Sequence, residues 1–342
     1  MTLHYPFPDA PLPGTVTEVS PGLLWLRMAL PFQLDHINLW LLRDDGGWCI
    51  VDTGFPGDDT RACWEAVLAG LDGPVTRIIA THFHPDHLGL GHWLMEKTGA
   101  PIYMTTGEFL TAHAVWNEVG GHGARFMVEQ FREHGLDGER LEKFAKRGSG
   151  YRQAVPALPE HYHRIRAGDT LTIGCCVWEV IPGHGHSPEH AALYCAESGV
   201  LISGDMLLPR ISTNISVFAA TPEADALGWY LDSLRDYAQR FPQETLVLPS
   251  HGLPFKGVQA RVEALHAHHE ERLHVLEETC EAPQSAASVL GVLFPRPLDM
   301  HQTMFAMGEA IAHLNHLERK GRLRRHRDAD GVFRFERVPL AA

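Results

Sequence analysis

Between Thr81 and His87 the chain reads Thr-His-Phe-His-Pro-Asp-His, directly after the apolar run Ile78-Ile79-Ala80. Three imidazoles and a carboxylate crowded at the end of a buried strand cost free energy unless a cation compensates them. Imidazole nitrogen and carboxylate oxygen are the donors that bind zinc, iron or manganese. The segment reads as part of a metal site, so a fold for this chain has to bring further ligands to it.

The sequence supplies them in the same setting. Val177-Trp178-Glu179-Val180-Ile181 runs into Pro182-Gly183-His184-Gly185-His186-Ser187-Pro188-Glu189-His190, Val200-Leu201-Ile202 into Ser203-Gly204-Asp205, and Leu246-Val247-Leu248 into Pro249-Ser250-His251-Gly252. Short apolar strands that end in His or Asp beside Gly or Pro can converge at one edge of a layered α/β core, where functional groups commonly sit.

These motifs, together with Ile50-Val51-Asp52-Thr53-Gly54 upstream, resemble the metallo-β-lactamase fold hydrolases in both content and order. The resemblance covers roughly residues 15 to 260 and implies an α/β fold, an αββα sandwich. It implies two divalent ions, zinc with iron or manganese as alternatives. His82, His84 and a histidine of the 184 to 190 segment would hold one ion, Asp86, His87 and His251 the second, and Asp205 would bridge them. For the first ion's third ligand, reading forward from Pro182-Gly183 selects His184, whereas reading back from Ala191-Ala192-Leu193-Tyr194 selects His186, with His190 outside the ligands. His186 is taken as the ligand and His184 kept as the alternative. If the segment is extended, the two side chains face opposite ways. Asp52 matches the aspartate that supports histidine ligands without binding metal.

Such a donor set leaves room for a bridging hydroxide at neutral pH, since metals lower the pKa of bound water from 15.7 to roughly 7 in zinc enzymes. Asp86 and Asp205 are the catalytic carboxylates of this reading, and no serine or cysteine nucleophile is required. The family's centre serves many substrates, so the fold alone does not choose among them.

At 342 residues and 44% apolar content, the chain can hold a catalytic domain and a smaller one. Its net charge of -13 opposes general attraction to polyanions. No apolar run is long enough to span a membrane, and no secretory pattern opens the sequence, so a cytoplasmic protein is expected. The six cysteines lack C-x-x-C spacing and read as buried reduced thiols, with Cys175 and Cys176 on opposite faces of a strand.

Residues 58 to 70 predict a helix capped by Asp or Thr, ended by Gly, and carrying Ala62, Val67 and Leu68 inward. Residues 106 to 166 read as a helical insertion in the catalytic domain, 1 to 262. This insertion is a substrate lid, a dimer contact, or packing with no substrate role. From 263 to 342 the pattern becomes helical. Met304, Met307, Ile311, Leu314 and Leu317 mark an amphipathic helix, and Val332, Phe333 and Phe335 follow the turn Asp328-Ala329-Asp330-Gly331 of a hairpin. Helices followed by a hairpin resemble a winged helix, as in the branch of the family that includes a mitochondrial endoribonuclease.

The hairpin region carries Arg319, Lys320, Arg322, Arg324, Arg325, Arg327, Arg334 and Arg337, which could meet phosphates. Yet residues 263 to 342 contain twelve acidic side chains against ten basic, so the domain is not a basic module. A solvated wing, or one packed on the catalytic domain or a second subunit of a homodimer, fits better. His266, His268, His269 and His274 read as a solvated helix face, and His113, His122 and His134 as histidines without clear partners. His92 lies nearer the cluster and could support it. The expected activity is hydrolysis of a small-molecule ester, thioester or lactone. The alternative is an endoribonuclease acting on single-stranded RNA. A β-lactam substrate is disfavoured by the lack of an export signal.

Overall fold

The computed structural model describes residues 2–339. They form two compact units, one made of Met1–Trp116, Tyr151–Thr213 and Ser233–Val262, the other of Asn117–Gly150, Asn214–Asp232 and Glu263–Ala342.

The first unit is built on two sheets. One runs in the order β1 (Val16–Ser20), β2 (Leu23–Ala29), β3 (His36–Asp44), β4 (Gly47–Val51), β5 (Val75–Ile79), β6 (Ile102–Met104) and β7 (His163–Arg164). Its first four strands form an antiparallel meander, and from β4 onward the pairing is parallel. The other sheet contains β8 (Thr170–Ile173), β9 (Cys176–Gly183), β10 (His190–Cys195), β11 (Val200–Gly204) and β12 (Leu246–Pro249), antiparallel except where β11 meets β12. Trp25, Trp40, Val51 and Ile79 of the first sheet share one buried cluster with Trp178, Val180, Leu193, Ile202 and Leu248 of the second. Strands buried on both faces read as continuous apolar runs, as β3 and β4 do.

The helices follow in chain order. They are α1 (Asp58–Gly70), α2 (Pro85–Leu88), α3 (Gly91–Thr98), α4 (Thr106–Trp116), α5 (Ala124–Glu133), α6 (Gly138–Arg147), α7 (Tyr151–Ala154) and α8 (Ala226–Arg240), then α9 (Val258–Thr279), α10 (Leu290–Leu293) and α11 (Met300–Arg319). The first unit is an αββα sandwich. Trp64 of α1 is buried to its tip, where its indole N–H donates to the Thr53 carbonyl at 2.8 Å.

In the second unit α5 and α6 pack through Phe131 and Phe144, edge to face at 5.6 Å. The hairpin of β13 (Leu323–Arg327) and β14 (Phe333–Arg337) closes through a turn in which Gly331 takes a φ of 79°. Phe335 of β14 exchanges backbone hydrogen bonds with Gln284.

Several sequence expectations are corrected. The N-cap of α1 is Gly57, with Asp58 and Asp59 inside the first turn, and the helix buries Thr60, Trp64 and Val67 while Ala62 is exposed. Gly70 is its last helical residue and Leu71, in extended conformation, caps it. From Ala310 to Leu317 helix α11 is buried on every side, so its three-and-four spacing does not mark an amphipathic face. His269 is fully buried between Tyr230 and His313, and His134 stacks on Phe335 at 6.1 Å. His92 faces Glu96 one turn along α3. All six cysteines are free, but Cys175 is exposed in the turn between β8 and β9, its sulfur 3.8 Å from that of Cys176. A tight turn suspends the alternation of faces that a strand would impose.

Candidate metal centre

Five strand ends deliver the polar residues of one edge of the sandwich. Asp52 follows β4, Thr81 to His87 follow β5, His184 to His190 follow β9, Asp205 follows β11, and His251 follows β12. Their donor atoms gather in three overlapping groups: His82, His84 and His186; His82, His87 and Asp205; and Asp86, His87 and His251. In each group these atoms all lie within 4.8 Å of one another. All seven residues expected at the site are therefore brought together.

Asp205 joins the groups. Its Oδ2 lies 3.4 Å from His186 Nε2, while its Oδ1 lies 3.5 Å from His87 Nε2 and 3.4 Å from His251 Nε2. Asp86 Oδ2 lies 3.4 Å from His251 Nε2 and 3.6 Å from His87 Nε2. The turn that presents Asp205 requires a glycine before it. Gly204 has a φ of 53°, and a β-carbon there would sit 2.2 Å from His190 Nε2. Into that space His190 brings the ring nitrogen that accepts the Asp205 backbone N–H at 3.2 Å.

The outward nitrogens of the inward-facing histidines are held by oxygen atoms. His87 Nδ1 lies 2.8 Å from Asp52 Oδ2, His82 Nδ1 3.0 Å from Thr81 Oγ1, His186 Nδ1 2.9 Å from Thr213 Oγ1, and His251 Nδ1 2.8 Å from the His36 carbonyl. Partners of this kind fix the ring orientation of metal-binding imidazoles. The pair His184 and His186 separates cleanly. His186 is buried with its Nε2 3.2 Å from His82 Nε2, whereas His184 is exposed and its Nδ1 contacts the Pro188 carbonyl at 2.9 Å.

The electrostatics test whether a cation fits. Burial, then the neighbouring imidazoles, push His82 well below the ordinary imidazole value. Burial and His186 push His84 down to about 3. His84 Nδ1 and His186 Nε2 converge on His82 Nε2 at 2.9 and 3.2 Å, so neutral rings here can turn their lone pairs toward one shared cation. On the other side burial opposes charge, but Asp52, Asp86 and Asp205 outweigh it and raise His87 well above its usual value. Asp205 and Asp86 likewise raise His251 to about 10. His87 Nε2 and Asp205 Oδ1 are buried without a hydrogen-bond partner among the described residues. Orphaned inward atoms and a donor set of imidazoles and carboxylates fit divalent metal ions.

Two supports were not read from the sequence. Glu108 on α4 is fully buried, and its carboxylate accepts hydrogen bonds from Phe83 N, Ser187 Oγ and Glu189 N. Burial pushes it up to about 7 against those three bonds. Nothing in Thr106-Gly107-Glu108-Phe109 marks it. Asn38 gave a usable signal, a lone amide inside the apolar strand Ile37-Asn38-Leu39-Trp40. Its Nδ2 donates to the carbonyls of Pro249 and Gly252 on either side of His251, and its Oδ1 accepts from Trp25 and Arg27.

Residues 33–251 match the family model of the metallo-beta-lactamase superfamily, and residues 273–338 match that of the metallo-beta-lactamase-like C-terminal domain. The chain is similar to a beta-lactamase domain protein of Burkholderia ambifaria of known structure, with 47% identity, a TM-score of 0.92 and 98% of each chain covered. It also resembles a metallo-beta-lactamase family protein of Thermus thermophilus, with 32% identity and a TM-score of 0.80 over 94% of this chain and all of the other. A curated relative from Bacillus subtilis, described as a probable metallo-hydrolase, is 25% identical over 86% of this chain and 91% of its own length.

Proposed function

This chain belongs to the metallo-beta-lactamase superfamily and is a metal-dependent hydrolase; from that premise we propose that it uses two divalent ions, zinc in the first instance, to hydrolyse a small-molecule ester, thioester or lactone. His82, His84 and His186 would hold one ion, Asp86, His87 and His251 the other, with Asp205 shared. The observation that carries the two-ion reading is the division of the Asp205 oxygens, Oδ2 toward His186 and Oδ1 toward His87 and His251. When bound, such ions make hydroxide available near neutral pH and polarise the oxygen of a scissile bond.

The protein's own groups do the rest. Burial favours a protonated Asp86, but His87 and His251 outweigh it and hold the carboxyl down at about 2. It is then an ionised hydrogen-bond acceptor that can orient a water molecule at the site. Asp52 and the His36 carbonyl keep His87 and His251 turned inward, and Asn38 fixes the backbone on both sides of His251.

The choice of a small molecule over RNA rests on the hairpin arginines. Arg322 pairs with Glu270 and Glu277, Arg324 with Glu336, and Arg325 with Glu223 and Glu318. Arg327 pairs with Glu133, Arg334 with Asp328, and Arg337 with Glu277 and Glu281. Side chains neutralised within their own unit offer little to a phosphate backbone. The same segment, 263 to 342, is proposed as a winged-helix-like domain with its boundary after 262, and the free cysteines suit a reducing cytoplasm. Metal-loaded protein assayed against thioesters, lactones and single-stranded RNA tests the reading. Turnover of RNA alone would reverse it.

A further inference from the structure

Two loops that would serve the first ion are tied together by one carboxylate. Phe83 lies between His82 and His84, and Ser187 follows His186. Glu108 Oε2 accepts the Phe83 N–H at 3.0 Å, and its Oε1 accepts the Ser187 hydroxyl at 2.7 Å and the Glu189 N–H at 2.6 Å. A second clasp runs beside the first. Gly107 N–H donates to Glu189 Oε2 at 2.8 Å, and Thr105 Oγ1 to the Glu189 carbonyl, also at 2.8 Å. From the other side, the Tyr151 hydroxyl donates to the Phe83 carbonyl at 2.6 Å.

A fully buried carboxylate is costly unless its oxygens are satisfied, and here each donor comes from a histidine loop. Neither loop has a regular element at these residues to set its spacing from the other. We infer that Glu108 is a positioning residue that fixes the distance between the His82–His84 and His186 loops and thereby the affinity of the first ion. The role needs an acceptor at both oxygens. A glutamine would have to turn its N–H₂ toward Phe83 N–H or toward the Ser187 and Glu189 donors, setting donor against donor.

The inference rests on the metal reading above, and its test separates the two. Apo-protein would be titrated with zinc against a competing chelator and with cobalt(II), whose absorption bands report the coordination of each ion. Glu108→Gln should stay folded by circular dichroism, bind one ion about 10- to 100-fold more weakly, keep the other, and show altered cobalt bands, as expected for the loss of an outer partner. Two ions bound with unchanged affinity and bands would overturn the role. Should Glu108→Gln not fold, Ser187→Ala decides, because it removes one donor and leaves the two backbone bonds. Several-fold weaker binding of the first ion supports the role, and unchanged binding refutes it. Wild-type protein that takes up no stoichiometric metal would sink the metal reading itself.

Discussion

Asp52 Oδ2 stands 2.8 Å from His87 Nδ1, with both side chains buried, and the same carboxylate also accepts the backbone N–H and hydroxyl of Thr81. This pairing settles which nitrogen of His87 faces Asp86 and Asp205. It requires Asp52 to hold a φ of 63°, a left-handed conformation that aspartate tolerates better than most residues. Asp52→Asn should therefore fold, yet bind the ion assigned to Asp86, His87 and His251 about 10- to 100-fold more weakly. Chelator competition measures this, and unchanged affinity would show that Asp52 only supports the turn.

Purified protein should carry close to two transition-metal ions per chain by elemental analysis. Asp205→Ala, which removes the carboxylate facing both groups, should lose at least one of them. Full occupancy in that variant would rule out a shared carboxylate.

The neighbouring histidines should behave oppositely. His186→Ala should lose metal and activity together, because its Nε2 lies with those of His82 and Asp205 Oδ2. His184→Ala, altering an exposed ring, should keep most of its metal. The reverse pattern would exchange their roles.

Stability should depend on pH through His134. Burial, reinforced by Arg325 and Arg327, lowers it to about 3 from the ordinary 6.5. Between those values the unfolded chain binds a proton that the folded one refuses, so stability is intact above 6.5 and declines as the pH falls toward 3. Urea unfolding of His134→Phe should show a dependence shallower by up to about 1.4 kcal/mol per pH unit in that window. Parallel curves for the two proteins would mean that His134 titrates normally.

Labelled single-stranded RNA should show no binding tighter than roughly 10⁻⁴ M by fluorescence anisotropy at moderate salt. Replacing Arg325 and Arg327 with Ala should change nothing. Tight, salt-sensitive binding that those substitutions abolish would favour the nuclease reading.

The donor residues were legible because each carries a short-range signal, an apolar strand running into His or Asp beside Gly or Pro. Which of His184 and His186 turns inward could not be read with the same ease, since it depends on how the chain bends at Gly185, whose φ is 97°. Glu108 escaped because its partners lie about 25 and 80 residues away, beyond any local pattern. His269 read as part of a solvated helix face and His134 as a histidine without clear partners, because the rings they pack on, Tyr230 and Phe335, lie far away in the chain. The same limit hid the grouping of Asn117–Gly150 and Asn214–Asp232 with the C-terminal residues.

That grouping has a consequence for synthesis. His134 leaves the ribosome about 200 residues before the Phe335 ring on which it stacks, a wait on the order of 10 to 40 s at ordinary translation rates. For most of that interval α5 and α6 are emerged but lack their strand partner, and before it ends every residue of the candidate metal centre up to His251 is out of the tunnel. The sandwich can thus mature first, and a nascent chain stalled before β14 emerges should present the apolar faces of α5 and α6 to chaperones.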